Sequence, residues 1–511
     1  MVALAVFWAA ENFFVQAASC QQLPTTIHPY FYQAGRFGLD FLAASAVLLF
    51  FSRGWLLAIL AGDFSVSVLT LPYARYFHHA LSLETTMQTA GEGMKVSSFG
   101  LAFIPPSVWL ALLAALAVKA WWVIQITPQP APWRRACATC CLAAEAACIL
   151  GLQFTSFALP SLRTRTVTRG VYAYGYLNTW VAEIFYGPDM RQMAQKLRKL
   201  QRVSPDRLAG AGISWPVNGH VVIVQMESIG WEVLNSQIAS QPVAPYLSGL
   251  ARSNLCYKIQ AYHTLGSQDM DYAVLSDGTP STEVLSYEVP GMTYPNGLPG
   301  FMKKHGFHAV ALHGNAGSFF NRRRNFDRMG FDEIWFKEDF QGRAVKRSSW
   351  GVRDAELFQL SSRELRQATG PQFHFLITLD SHAPFNLMDN EEKQIFPDSQ
   401  VWRENYFNSA RLLDGLLRDY IESLPSGTLV ILYGDHPAGV DYGDFHPARK
   451  GSAEYVPCIL HVCGASAPLR TCCSASASLP SDLRILDIEN FLRRQISQRA
   501  FEALNPSPKN S

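Results

Sequence analysis

Four short apolar runs in the second half of the chain limit its fold more than any other feature. HVVIVQME ends at Glu227, HAVALHGN at His313 and Asn315, FHFLITLDSH at Asp380 and His382, and TLVILYGDH at Asp435 and His436. Runs rich in Val, Ile and Leu, bounded by Gly and polar residues and separated by helix-length stretches, read as buried parallel strands. In open α/β sheets, ligands gather outside the carboxyl ends of the strands. Four strands that carry carboxylates and imidazoles to one edge therefore predict a mostly parallel α/β sheet with a single metal-assisted site. One such strand alone would predict no more than a polar residue capping a turn.

The chain has 511 residues, which suggests two or three units, and its apolar content is uneven. Charged residues make up only 16% and hydrophobic residues 49%, and residues 1–160 hold few of the charges. The expected organisation is a helical membrane domain over 1–160, an interfacial linker over 161–215, and an extracytoplasmic catalytic domain over 216–505. A formal net charge of +2 and the lack of a long basic run argue against a nucleic-acid partner.

Five candidate spans occupy Met1–Ala18, Phe37–Phe51, Trp55–Pro72, Phe99–Ile124 and Cys137–Leu159. The first competes with a cleaved signal peptide but lacks a basic N-terminal region. Arg53 lies in one short loop and Arg134 and Arg135 in another, so both loops are expected in the cytoplasm. That orientation puts everything after Leu159 outside. Asp63 and Glu145 lie within spans, either as functional groups or as carboxyls hydrogen-bonded between helices. The mixed aromatic and apolar stretch Tyr172–Gly187 reads as a helix at the membrane surface. Of the ten cysteines, Cys137, Cys140, Cys141 and Cys148 read as packing residues, while Cys458, Cys463, Cys472 and Cys473 could pair outside the cytoplasm.

Glu227, Asp435 and His436 form a donor set suited to Mn²⁺, Mg²⁺ or Zn²⁺. Ser267, in His263-Thr-Leu-Gly-Ser-Gln-Asp-Met-Asp271, has two readings. It is a hydroxyl that a bound cation would activate as a nucleophile, or a helix N-cap followed by the first-turn acids Asp269 and Asp271. His313, Asn315 and Arg322 fall in one segment, where a guanidinium can clamp phosphate oxygens bidentately. Arg323 and Arg324 read as a solvated turn. His382 could donate to a phosphate oxygen or protonate a leaving group.

Taken in order, these segments resemble the lipoteichoic acid synthase branch of the alkaline phosphatase–sulfatase superfamily. The resemblance implies about five spans, a linker and an outward-facing catalytic domain with one metal ion, usually Mn²⁺. It assigns metal ligation to Glu227, Ser267, Asp435 and His436, with Ser267 standing where the family has a Thr nucleophile. It assigns substrate contacts to His313, Asn315, Phe320, Arg322 and His382, with Phe320 standing where the family has Trp. The implied reaction moves a phosphoglycerol or phosphoethanolamine headgroup from a phospholipid to a glycan or lipid acceptor through a phospho-serine. A phosphodiesterase needs the same residues and is the main alternative. A true sulfatase is disfavoured, because such enzymes use a Cys/Ser-x-Pro-x-Arg segment, which the chain is expected to lack, and because one acid, where sulfatases show an Asp pair, ends the first strand. A membrane sensor on an inactive scaffold is the least favoured reading, since it would lack ligands.

Overall fold

The structure, a computed structural model, describes residues 1–19, 29–77, 106–125, 132–154, 219–264, 266–281, 285–289, 291–383, 385–438, 454–465 and 483–504, with scattered positions between 81 and 199. The chain divides into two compact units, Met1–Met190 and Arg191–Ser511.

The first unit is built from α1 (Val2–Ser19), α2 (Pro29–Phe50), α3 (Arg53–Phe77), α4 (Pro106–Gln125) and α5 (Pro132–Phe154). Leu4, Trp8, Leu48, Leu56, Leu60 and Val123 pack into one apolar cluster. Other large apolar side chains point outward, among them Phe14, Trp55, Leu110 and Trp121. Among the described residues, two of the five expected spans coincide with helices long and apolar enough to cross a bilayer, Arg53–Leu71 and Pro106–Gln125. Among the described residues, further apolar stretches lie at Val2–Asn12 in α1 and Phe37–Phe50 in α2. Polar residues lie within these helices: Glu11 and Asn12 in α1, Asp40 in α2, Asp63 in α3, Lys119 in α4, and Arg134, Arg135 and Glu145 in α5.

Several of these polar groups meet. Lys119 on α4, fully buried, lies 2.9 Å from Asp63 on α3 and 2.5 Å from Glu11 on α1, and the Trp8 indole donates to Asp63 at 2.9 Å. Glu145 accepts from Asn178 at 2.9 Å. Asp63 and Glu145, the two carboxylates expected within spans, therefore both have hydrogen-bond partners. Arg134 is buried and donates to the Leu48 carbonyl at 3.2 Å.

The second unit is organised on a seven-stranded sheet. Its strands are β1 (Val221–Met226), β4 (Leu255–Gln260), β5 (His308–His313), β6 (Glu333–Trp335), β7 (Gln372–Ile377), β8 (Leu429–Gly434) and β9 (Tyr455–Val462), while β2 (Gln237–Ile238) and β3 (Gln241–Pro242) form a separate hairpin. The order is β4-β9-β8-β1-β7-β5-β6. β8, β1, β7, β5 and β6 are parallel, and β9 is antiparallel to both β8 and β4. β4 consequently runs with the parallel set, and six strands deliver their carboxyl ends to one edge. The four apolar runs are β1, β5, β7 and β8, and every residue of β1 and β8 is buried.

Helices cover the sheet: α6 (Pro245–Ser253), α7 (Gln268–Ser276), α8 (Leu298–Lys304), α9 (Arg322–Met329), α10 (Asp354–Gln367), α11 (Trp402–Ser423) and α12 (Ile485–Leu504). On α11, Tyr406, Ala410, Leu413, Leu417, Tyr420 and Ile421 recur at helical spacing and are buried, which fixes its inner face. Pro245 suits the first turn of α6, and with no capping side chain at Ala244 the orphan amides of Tyr246 and Leu247 donate to Asp414 of α11 at 3.0 and 2.8 Å. Cys458 and Cys463 are buried free thiols. Cys472, Cys473 and nearly all of the 161–215 linker lie outside the described residues.

Candidate active site

The parallel edge brings Glu227, Asp435 and His436 together, because β1 and β8 are adjacent and in register from Val221–Leu429 to Met226–Gly434. One donor atom from each of the three lies within 4.8 Å of the others, and all three side chains are buried. Gly434 makes the crossing possible. A Cβ there would lie 1.9 Å from the Ile229 carbonyl oxygen, so the loop leaving β1 passes directly over the end of β8.

Every part of this trio is held. The Glu227 amide donates to Thr378 Oγ1 at 2.9 Å, and its carbonyl accepts from Ser381 Oγ at 2.6 Å, so the end of β7 grips the backbone on both sides. Ser228 adopts φ +60°, a strained value costing about 1–3 kcal/mol for a residue with a Cβ. In return its amide donates to Asp435 Oδ1 at 2.8 Å and its hydroxyl to Glu227 Oε1 at 2.9 Å. His436 Nδ1 lies 2.9 Å from the Pro437 carbonyl, which leaves Nε2 facing Glu227 Oε1 at 3.3 Å.

The donor set fits a divalent cation. Asp435 Oδ2 is buried and has no hydrogen-bond partner, although a lone carboxylate oxygen in that position is costly. Burial and the charge of Glu227 push Asp435 well above the usual carboxylate range. Burial would raise Glu227 too, but the charge of nearby His382 and the bond to His436 outweigh it and hold Glu227 well below that range. His436 is pulled up to about 10, because Asp435 and Glu227 overcome the effect of burial. Two carboxylates and an imidazole this close compete for protons that a cation would replace.

Ser267 reaches the same edge from β4. The Gln225 side chain, on β1, donates to the Ser267 carbonyl at 3.4 Å and accepts from Tyr433 of β8 at 2.7 Å. Gly266 turns the chain with φ +114°. Ser267 stands at the N-cap position of α7 with φ −58° and ψ −23°, and its hydroxyl makes no capping hydrogen bond. The two acids after it have other partners. Asp269 accepts from the Thr264 amide at 2.9 Å, and Asp271 forms a bidentate pair with Arg322, both bonds at 3.0 Å.

Arg322 thus meets a protein carboxylate where the sequence suggested a phosphate clamp. It is 2% exposed, and its third nitrogen lies 3.5 Å from His313 Nε2. His313 is buried, with Nδ1 3.0 Å from the Ile377 carbonyl, and burial and the charge of Arg322 lower it to about 3. Asn315 is buried and turns its own Oδ1 to the Ala316 amide at 2.7 Å. Phe320, at φ +52°, lies under the Arg322 guanidinium at 5.2 Å. His382 sits on the loop after β7, with Nδ1 2.7 Å from the Ala383 carbonyl. Asp380, another strand-end acid, pairs with Arg353 at 2.8 Å.

Several neighbours were not singled out from the sequence. Trp350 lies 4.4 Å from the His382 ring, His263 stacks on His436, and Ser228, Thr378 and Ser381 hold Glu227. Gln225, a polar residue within an all-buried strand, was the visible signal that β1 contacts something polar.

Residues 219–471 match the sulfatase family. The second half of the chain is a sulfatase-family domain. Its relatives put this domain on the lipoteichoic acid synthase-like branch of the alkaline phosphatase superfamily. It is 24% identical over 248 residues to a lipoteichoic acid synthase-like protein of Bacillus subtilis, covering 46% of this chain and 39% of that protein. Lipoteichoic acid synthase 1 of the same organism is 24% identical over 314 residues, covering 56% of this chain and 48% of that one. The chain thus spans less than half the length of these curated relatives. Among solved structures, the integral membrane lipooligosaccharide phosphoethanolamine transferase A of Neisseria meningitidis aligns with a TM-score of 0.53 at 15% identity, covering 91% of this chain and 88% of that one. That likeness is one of fold. Contrary to expectation, the domain contains one Ser-x-Pro-x-Arg spacing, Ser466-Ala-Pro-Leu-Arg470, but it follows β9, away in sequence from Ser267, and lies outside the described residues.

Proposed function

We propose that this protein is a membrane-anchored transferase that moves a phosphoglycerol or phosphoethanolamine headgroup from a phospholipid to a glycan or lipid acceptor. The observation that carries this reading is a serine hydroxyl at a helix N-terminus, unused for capping, on the edge that also presents Glu227, Asp435 and His436. Glu227, Asp435 and His436 would hold the cation with Ser267, Mn²⁺ being favoured by the resemblance over Mg²⁺ or Zn²⁺. Bound there, such a cation lowers the pKa of a hydroxyl and offsets charge on phosphoryl oxygens.

The chain's own groups account for the rest. Ser267, its proton lost to solvent, forms a bond from Oγ to phosphorus as the bond from phosphorus to the diacylglycerol oxygen breaks, and His382 supplies the proton that the leaving oxygen takes. The acceptor hydroxyl then gives its proton to the now neutral His382 and attacks phosphorus as the bond from phosphorus to Ser267 Oγ breaks. The amides opening α7 face developing negative charge, as helix N-termini do. Arg322, tied to Asp271, sets the position of His313 and Phe320 around the headgroup. The outward-facing apolar side chains of α1–α5 support a multi-pass anchor in the cell membrane, with the catalytic unit extracytoplasmic, which keeps the site near its lipid donors.

The test is to incubate the full chain in detergent with labelled phosphatidylglycerol or phosphatidylethanolamine, with and without Mn²⁺ and an acceptor glycolipid. Headgroup release that needs both Mn²⁺ and acceptor supports the transferase. Release unaffected by acceptor means a phosphodiesterase, and no release from either lipid removes the reading.

A further inference from the structure

His263 and Glu454 form a pair beside the metal trio that the reaction just described does not use. β4 and β9 pair with Gln260 opposite Tyr455, so the chain leaving β4 runs alongside the residue entering β9. The Ala261 amide donates to the Glu454 carbonyl at 2.9 Å, which continues that ladder by one residue. Two residues later the His263 Nδ1 lies 3.0 Å from Glu454 Oε2. From there the His263 ring reaches over β9 to β8. It lies on the His436 ring with centroids 3.9 Å apart and planes within 6°.

This contact completes the restraint on His436. A ring held by one hydrogen bond at Nδ1 can still tilt about its Cβ–Cγ bond as that hydrogen bond bends. Pro437 holds His436 through Nδ1 in the ring plane, and a parallel ring at van der Waals distance removes the remaining rotation. The orientation so fixed is the one that turns Nε2 toward Glu227 and Asp435. His263 needs its own anchor to act this way, and Glu454 is that anchor. The side chain is otherwise an imidazole on a loop, one residue from the turn that leads to Gly266.

We propose that His263, fixed by Glu454, is a positioning residue that holds His436 in its metal-ligating orientation. The proposal rests on the reading that Glu227, Asp435 and His436 bind the cation. Outer partners of metal-ligating histidines typically contribute 10–100-fold to affinity, so replacing His263 should have an effect of that order. A phenyl ring preserves the stack without needing the carboxylate, so the two parts of the device can be separated.

The experiment is calorimetric titration of the full chain in detergent with Mn²⁺ alone, for wild type, Asp435→Ala, His263→Ala, His263→Phe, Glu454→Ala and the His263→Phe/Glu454→Ala pair. Binding by the wild type that Asp435→Ala abolishes establishes the cation site itself; unchanged binding by Asp435→Ala overturns that reading and the positioning role of His263 with it. With the site established, His263→Ala should weaken Mn²⁺ binding about 10–100-fold. His263→Phe should restore it to near wild type. Glu454→Ala should weaken it when made alone and have no effect when added to His263→Phe. Wild-type affinity in His263→Ala overturns the proposal. So does a Glu454→Ala effect that persists in the His263→Phe background, because that would mark Glu454 as acting independently of the stack. Should His263→Ala fail to fold, the comparison of Glu454→Ala in the two other backgrounds decides the question by itself.

Discussion

Arg322 is the residue for which sequence and structure suggest different work, and the two roles predict different outcomes. Its guanidinium and the Asp271 carboxylate are 2% and 0% exposed and make two 3.0 Å bonds. Removing one partner of a buried ion pair leaves the other charge unpaired at a cost of about 3–5 kcal/mol. A domain of this size loses about 2–4 °C of melting temperature per kcal/mol, so Asp271→Ala should melt roughly 6–20 °C below wild type. Replacing both partners with apolar groups removes the stranded charge, and the Asp271→Ala/Arg322→Met pair should recover most of that loss. Circular dichroism melts of the purified chain read both effects. The double variant also separates the roles: a stable protein with no headgroup transfer means Arg322 acts on substrate, directly or through His313 and Phe320. A melting temperature for Asp271→Ala within about 2 °C of wild type would refute the buried-pair argument, as would a double variant less stable than either single one.

Cation binding should release protons. Asp435 and Glu227 pull His436 up to about 10, so near neutral pH its imidazole carries a proton that a bound cation must displace. Affinity for Mn²⁺ should therefore fall as pH falls, by up to about tenfold per unit for each proton displaced, and calorimetric enthalpies should depend on the buffer; buffer-independent heats and a flat pH profile would oppose this. Gly434→Ala forces a Cβ to within 1.9 Å of the Ile229 carbonyl and should cost at least about 1–3 kcal/mol while loosening the Glu227–Asp435 juncture, measurable as a lower melting temperature with weaker Mn²⁺ binding. Reporter fusions after Arg135 and after Leu159 should report opposite sides of the membrane. The same side for both would contradict an extracytoplasmic catalytic unit.

The parallel part of the sheet was readable because β1, β5, β7 and β8 are buried on both faces and so are nearly continuous in Val, Ile, Leu and Phe. β4 and β9 left weaker traces. β4 alternates buried and partly exposed residues as a sheet edge does, and Pro457 in β9 argues against a strand flanked on both sides, although β9 lies between β4 and β8. Glu227, Asp435 and His436 were legible as a group because each lies within two residues of a strand end. The partners of Arg322, Lys119 and His436 were not. Asp271 lies 51 positions from Arg322, and Asp63 lies 56 from Lys119. His263 and His436 meet only because β4 and β8 flank the same strand. Residue type suggested that a buried guanidinium or an intraspan acid would bind something, but only the fold decides whether that something is substrate or protein.

The central claim is that Ser267 is the nucleophile, and trapping its adduct tests it most directly. The full chain, quenched during turnover with lipid donor and Mn²⁺, is digested and examined by mass spectrometry beside Ser267→Ala, Ser267→Asn and Ser267→Thr. The account predicts a phosphoglycerol or phosphoethanolamine adduct on the peptide containing Ser267. It also predicts almost no turnover from the Ala and Asn variants and partial turnover from Thr, which retains a hydroxyl. Asn is a good N-cap, and loss of a cap costs only about 1 kcal/mol, so a structural role for Ser267 would leave the Asn variant near wild type. An adduct on another residue, or transfer by Ser267→Ala, would contradict the mechanism.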